Sequence, residues 1–157
     1  MVSKNNSPSD GALRAAELLL EAREHERYGR VREAMDCYVA AIAEAAWCGA
    51  AVAQAVGLRR LGALHHRRNE TAAARETCKS SIELAMGAGE SSIAAEAMVI
   101  LGHLELAHRN IAAARDTFSQ ALAALGDDSH ELRARIEHYL TLLASASAEI
   151  EGATVAA

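Results

Sequence analysis

Residues 61–82 read LGALHHRRNETAAARETCKSSI and residues 101–122 read LGHLELAHRNIAAARDTFSQAL. The two align without a gap at an offset of 40 positions: Leu61 with Leu101, Gly62 with Gly102, Ala74 with Ala114, Arg75 with Arg115, Cys78 with Phe118 and Ile82 with Leu122. A further 40 positions upstream the same register returns Ala22, Ala34, Tyr38, Ala41 and Ile42. Three copies at one offset identify a repeat, in which each unit buries its apolar face only against its neighbours.

Within each copy the periodicity is helical. Ala34, Tyr38, Ala41, Ile42 and Ala45 recur as Ala74, Cys78, Ser81, Ile82 and Ala85, and again as Ala114, Phe118, Ala121, Leu122 and Leu125. That is an i, i+4, i+7, i+8 stripe, one buried face of a helix. Breaks fall within units at Tyr28-Gly29-Arg30, Arg68-Asn69-Glu70 and Arg109-Asn110, where Asn69 and Asn110 are expected to cap the next helix. Between units they fall at Trp47-Cys48-Gly49, at Gly87-Ala88-Gly89 and at Gly126-Asp127-Asp128, where glycine can take the left-handed conformation that ends a helix. Helices are therefore expected at about 11–28, 31–47, 51–68, 71–86, 91–108, 111–125 and 130–150. Ala22, Gly62 and Gly102 would meet Ala34, Ala74 and Ala114 where paired helices cross, because only small residues allow close approach.

Composition agrees with an all-helical chain. Of 157 residues, 51% are apolar but only 3% are aromatic and one is proline, and alanine dominates. Too few β-branched and aromatic residues remain for a sheet. The net charge of −5 argues against the nucleic-acid backbone as a partner. That charge is uneven: residues 1–80 carry 12 basic and 10 acidic groups, residues 81–157 carry 4 and 11. Cys37, Cys48 and Cys78 lack C-x-x-C spacing and read as packing residues of a reduced chain. The polar start MVSKNNSPSD carries no secretory signal and no uninterrupted apolar run spans a membrane, so the expected location is cytoplasmic.

The repeating segments resemble tetratricopeptide repeats (TPRs), whose signature is W-x-x-L-G-x-x-Y followed by A-x-x-x-F. Here the second copy offers Leu58, Leu61-Gly62, His65, Ala74 and Cys78, and the third offers Met98, Leu101-Gly102, Glu105, Ala114 and Phe118. The first offers Leu18, Glu21-Ala22, His25, Ala34 and Tyr38. The family's closing proline is missing, and the period is 40 rather than 34, a variant similar to the repeats of kinesin light chains, large bacterial transcriptional activators and peptide-sensing response regulators. The resemblance implies an all-α superhelix (α-solenoid) of three helix hairpins plus a C-terminal capping helix. Its repeats would span about 11–49, 50–89 and 90–128, with the cap at 130–150 and disordered tails at 1–10 and 151–157.

It also implies a concave face, lined by the first helix of each unit, that takes a peptide or partner segment. By register the first unit contributes Ala16, Leu19, Arg23, Glu26 and Arg27. The second contributes Val56, Arg59, Ala63, His66 and Arg67 with Arg60 at the side, and the third Glu96, Val99, His103, Leu106 and Ala107. Arginines beside Val56, Val99 and Leu106 suit an acidic segment with an apolar anchor. The alternative is that these arginines are solvated and paired with Glu24, Glu26 and Glu70. The lysine and asparagine clamp that holds a C-terminal carboxylate elsewhere in the family is replaced here by Leu19, Arg23, Arg60, Glu96 and Ile100.

No metal, cofactor or catalytic residue is expected. The seven histidines show no H-E-x-x-H pair, and no phosphate loop or G-x-S-x-G elbow is present. His25 and His65 take the family's tyrosine place and are expected to fill space and hydrogen-bond between helices. In the last helix, Leu132, Ile136, Tyr139, Leu140 and Leu143 would cover the third unit. Leu142, Ala144, Ala146 and Ala148 widen its apolar surface, which leaves self-association through this helix open. The expected role is a noncatalytic protein-interaction module or adaptor, with a peptide-sensing regulator or a self-assembling scaffold as alternatives.

Overall fold

The computed structural model describes residues 7–126 and 129–155, with side chains described through residue 146. Among the described residues seven helices follow one another: α1 (Pro8–Arg27), α2 (Val31–Cys48), α3 (Ala51–Arg67), α4 (Thr71–Gly87), α5 (Ser91–Ala107), α6 (Ile111–Ala124) and α7 (His130–Val155). Helices α1 and α2, α3 and α4, and α5 and α6 form hairpins; each hairpin packs on the next through α2 with α3 and α4 with α5, and α7 closes on α6. The inner helices α1, α3 and α5 also touch in succession. This is an α-solenoid of three hairpins with a capping helix, and no strand occurs among the described residues.

The helix boundaries differ from expectation at the two ends. Pro8 to Asp10, expected in a disordered tail, form the first turn of α1. Ser7 caps it: its Oγ accepts from the Asp10 backbone N–H at 3.2 Å while the Asp10 carboxylate accepts from the Ser7 N–H. At the other end α7 runs on to Val155, past the expected stop at 150. The remaining tail residues, 1–6 and 156–157, lie outside the described residues, as do Asp127 and Asp128 of the expected Gly126 break.

A single turn geometry, repeated every 20 residues, sets the repeat length. Gly29, Gly49, Asn69, Gly89 and Arg109 all stand in the left-handed region, with φ between 60° and 77°. After each, a backbone N–H reaches back five residues, as in Arg30 to the His25 carbonyl, Glu70 to His65 and Asn110 to Glu105, each at 2.9 Å. The residue before donates three back, which completes the Schellman closure of a helix end. Asn69 is therefore the left-handed residue of its turn and not the cap of α4; that place belongs to Glu70. Asn110 does precede α6, but its side-chain amide donates to Glu105 at 3.2 Å instead of capping.

Close packing follows from alanine and glycine at the crossings. Ala22, Ala34, Ala74 and Ala114 are fully buried. A Cβ on Gly62 would stand 2.5 Å from Cys78 Sγ, and one on Gly102 would stand 2.5 Å from Phe118 Cε1. The glycines of the second and third hairpins thus make room chiefly for the residue one turn beyond the small one, Cys78 or Phe118. Ser81 replaces the alanine of its stripe and donates to the Ala55 carbonyl at 2.8 Å, so the one buried polar side chain among the described residues is satisfied. On α7, Leu132, Ile136 and Leu143 are buried against Val99, Phe118 and Leu125, with Tyr139 and Leu140 partly buried, as a cap requires. No helix among the described residues is long and apolar enough to cross a membrane.

Candidate functional site

The inner helices bring the arginines together near the first two units. Arg23 and Arg27, one turn apart on α1, and Arg60 and Arg67 on α3 line a cleft of about 270 Å³ together with Glu26. A second cleft of about 430 Å³ continues along α1 between Leu20, Arg23, Glu24 and Arg27, and Leu20 is 61% exposed there.

Among the described residues Glu26 is the one carboxylate lining the four-arginine cleft, and both its oxygens are engaged. The Tyr38 hydroxyl donates to Oε2 at 3.0 Å and Arg67 Nη1 reaches Oε1 at 3.4 Å. Burial and the Glu26 charge push the Tyr38 hydroxyl well above its ordinary value, so it stays a donor. Arg23, Arg27 and Arg60 have no ion pair or hydrogen bond among the described residues, and Arg60 Nε is buried without a partner.

Arg59, one residue away, faces differently. Its Nη1 lies 2.6 Å from Glu96 Oε2 on α5 and its side chain is 14% exposed, so it belongs to the α3–α5 contact. Glu96, which the register places in the groove row of the third unit, is its partner. Of the carboxylates expected to pair with arginine, Glu26 takes Arg67 and Glu70 takes Arg68 at 2.7 Å.

The apolar positions separate in the same way. Val99 is buried in the core beneath α7, and Leu106 packs against that core. His103 lies edge-on to Phe118 at 5.5 Å and to Tyr139 at 4.8 Å between ring centroids; burial, then the nearby His66 and Arg135 charges, push its pKa down. Leu19 is partly buried against the core of the first two units. Val56, Ala63 and His66 are half-buried on α3. The groove's accessible apolar ground is thus Leu20 with parts of Val56 and Ala63, and not the third unit.

The two histidines in the tyrosine place behave differently. His65 Nδ1 bonds Glu70 at 2.6 Å across the α3–α4 turn. His25 Nε2 stands 3.8 Å from Glu21, and its Nδ1 is buried without a partner. Cys37 on α2 brings its sulfur to this pair, and ligand atoms of Glu21, His25 and Cys37 lie within 4.8 Å of one another, so these three residues could hold a metal ion. Sequence spacing could not show this grouping, because the thiol comes from another helix. Two features oppose it: Cys37 is pushed toward the neutral thiol by burial and by Glu21 and Asp36, and His25 lacks the acceptor that orients a metal-bound imidazole.

No family model and no curated protein matches the sequence. Among solved structures, the chain superposes on the crystal structure of BtubC (BKLC) from P. vanneervenii with a TM-score of 0.78 and 19% sequence identity, over 93% of this chain and 61% of that one. The chain thus spans less than two thirds of that neighbour's length. At this identity the likeness is one of fold, and the fold is TPR-like.

Proposed function

We propose that the chain is a noncatalytic protein-interaction module that takes an acidic, partly apolar segment of a partner into the groove of its inner helices. A single observation carries this reading: Arg23, Arg27, Arg60 and Arg67 line one cleft in which the one carboxylate among the described residues, Glu26, is already engaged. Two other partly buried arginines are neutralised, Arg59 by Glu96 and Arg75 by Glu105. An uncompensated set of cations on a concave surface is electrostatically suited to an anionic partner. Leu20, exposed beside Arg23 and Arg27, supplies apolar area for an anchoring side chain. The 40-residue period further aligns the chain with adaptors of the kinesin-light-chain type.

The test is a titration of the full chain with a labelled peptide rich in glutamate and leucine, at several salt concentrations. Binding should weaken as salt rises and vanish in the Arg60→Glu, Arg67→Glu double variant. Binding that ignores both salt and the charge reversal overturns the reading.

A second reading is self-association through α7, favoured by Leu142, which is 53% exposed on the flank of the face that caps the third unit. Sedimentation over a concentration range decides it; a single species throughout removes it.

A further inference from the structure

The charge in the groove is gathered at a point and not spread along a line. Arg23, Arg27, Arg60 and Arg67 line a cleft of about 270 Å³ with Glu26, which pairs with Arg67 alone, and the adjoining cleft adds Glu24, so the arginines outnumber the carboxylates four to two. Further along the groove the cations end: Arg59 is answered by Glu96, and Val99, His103 and Leu106 are taken up by packing under α7. The cleft at the far end, between Ser92, Glu96, Ser129, His130, Glu131, Leu132 and Arg135, carries two carboxylates to one arginine. A segment bearing a row of glutamates would meet complementary charge only at its first position. Each carboxylate brings one negative charge and two oxygens, enough for one guanidinium fork. A phosphate monoester brings close to two charges and three terminal oxygens at one centre, which matches several forks converging from two helices.

We propose that this cleft is the seat of a phosphoryl group carried on a serine or threonine of the partner segment, with the neighbouring Leu20 receiving an apolar residue beside it. The inference rests on the reading of the groove as an interaction surface and specifies what that surface recognises. A protein segment is the source that fits, because a chain of net charge −5 is repelled by anionic membranes and by nucleic acid as a whole. The arginines sit on the inner helices, where an extended chain can lie beside the phosphate. Arg23, Arg27 and Arg60, which line the cleft without an ion pair among the described residues, are the side chains available to it.

The experiment is fluorescence anisotropy with the full chain and three labelled pentapeptides of the same sequence, in which phosphoserine, glutamate or serine stands between two leucines. The phosphoserine peptide should bind about tenfold or more tighter than the glutamate peptide, the serine peptide should not bind, and inorganic phosphate should compete. Arg60→Gln and Arg27→Gln should each weaken phosphopeptide binding about tenfold while circular dichroism shows an unchanged melt. Arg115→Gln, on exposed α6 surface, should leave binding unchanged. Equal binding of the glutamate and phosphoserine peptides, lost alike in the arginine variants, overturns the phosphoryl inference and leaves the acidic-segment reading standing. Failure of all peptides overturns both. Phosphopeptide binding that survives both variants, or cosedimentation with phosphoinositide vesicles without peptide binding, overturns the assignment of this cleft to a phosphorylated segment.

Discussion

Arg59 Nη1 meets Glu96 Oε2 at 2.6 Å across the α3–α5 contact, while its neighbour Arg60 turns into the groove cleft without a carboxylate of its own. Two consecutive arginines thus serve two different ends. Arg59 ties one hairpin to the next, and Arg60 is left to a partner.

The first prediction separates them. Arg59→Ala removes one member of a largely buried pair and leaves Glu96, itself partly exposed, without its cation. The expected loss lies between that of a surface pair and that of a fully buried one, about 1–2 kcal/mol in urea denaturation. Arg60→Ala leaves no charged partner behind and should change stability by about 0.5 kcal/mol or less. Binding should report the reverse order, with Arg60 mattering more. Equal stability loss in the two variants would place both side chains in the core contact.

A second test concerns the hairpin crossing. A Cβ on Gly102 would meet three ring carbons of Phe118 at 2.5, 2.6 and 2.9 Å, and Phe118 is fully buried, so the ring has nowhere to retreat. Gly102→Ala should destabilise the chain by about 1–3 kcal/mol, despite alanine's better helix propensity. Combining it with Phe118→Leu should restore part of that loss relative to the sum of the single changes, since a smaller side chain makes room for the methyl. Chemical denaturation of the four-variant cycle measures this, and strict additivity would show that the two positions do not contend for space.

The repeat was legible because it is carried by one-residue signals at a fixed offset: Gly62 and Gly102, Ala74 and Ala114, and the stripe that contains Cys78 and Phe118. Each of these has a steric meaning that survives translation along the chain. The groove was less legible. A helix turns about 100° per residue, so a register uncertainty of one position decides whether Arg59 or Arg60 faces outward. The sequence placed Arg59 in the row and Arg60 at its side, and their contacts are the other way round. Glu96 lies 37 positions beyond Arg59 and is not at the repeat offset, so no periodicity could announce the pair. Nothing in the sequence pattern shows how far α7 reaches over α5, so the register alone leaves Val99 and His103 on the surface; Tyr139 against His103 takes them out of it.

The 20-residue rhythm of left-handed turns yields a third prediction. Arg109 holds φ at 60° with an exposed side chain, a backbone state in which a side chain other than glycine pays roughly 1 kcal/mol. Arg109→Gly should raise stability by up to about 1 kcal/mol, reduced by the greater freedom glycine lends the unfolded chain. Gly29→Ala is the mirror experiment: nothing lies within 4 Å of the added methyl, so any loss comes from the backbone alone, at φ 71°. Thermal or urea melts should move in opposite directions for the two variants, and movement in the same direction would discount the turn as the source.

The last prediction concerns pH. Burial holds the His103 imidazole below its ordinary 6.5, so between its folded value and 6.5 the unfolded chain binds more protons than the folded one. Stability should therefore be full above pH 6.5 and decline as pH falls through that window. Glu70 and Glu105 are held below 4.5, by the hydrogen bonds of His65 and Arg68 and of Arg75 respectively, so their contribution is present above pH 4.5 and is lost as pH falls further. Two successive declines should appear in urea midpoints measured from pH 8 to pH 3. His103→Phe, which keeps an aromatic ring against Phe118 and Tyr139, should flatten the upper decline and leave the lower one in place. Arg75→Gln should weaken the lower decline without touching the upper. An upper decline that persists in His103→Phe would assign it to another histidine and remove the α5–α7 aromatic contact as its origin.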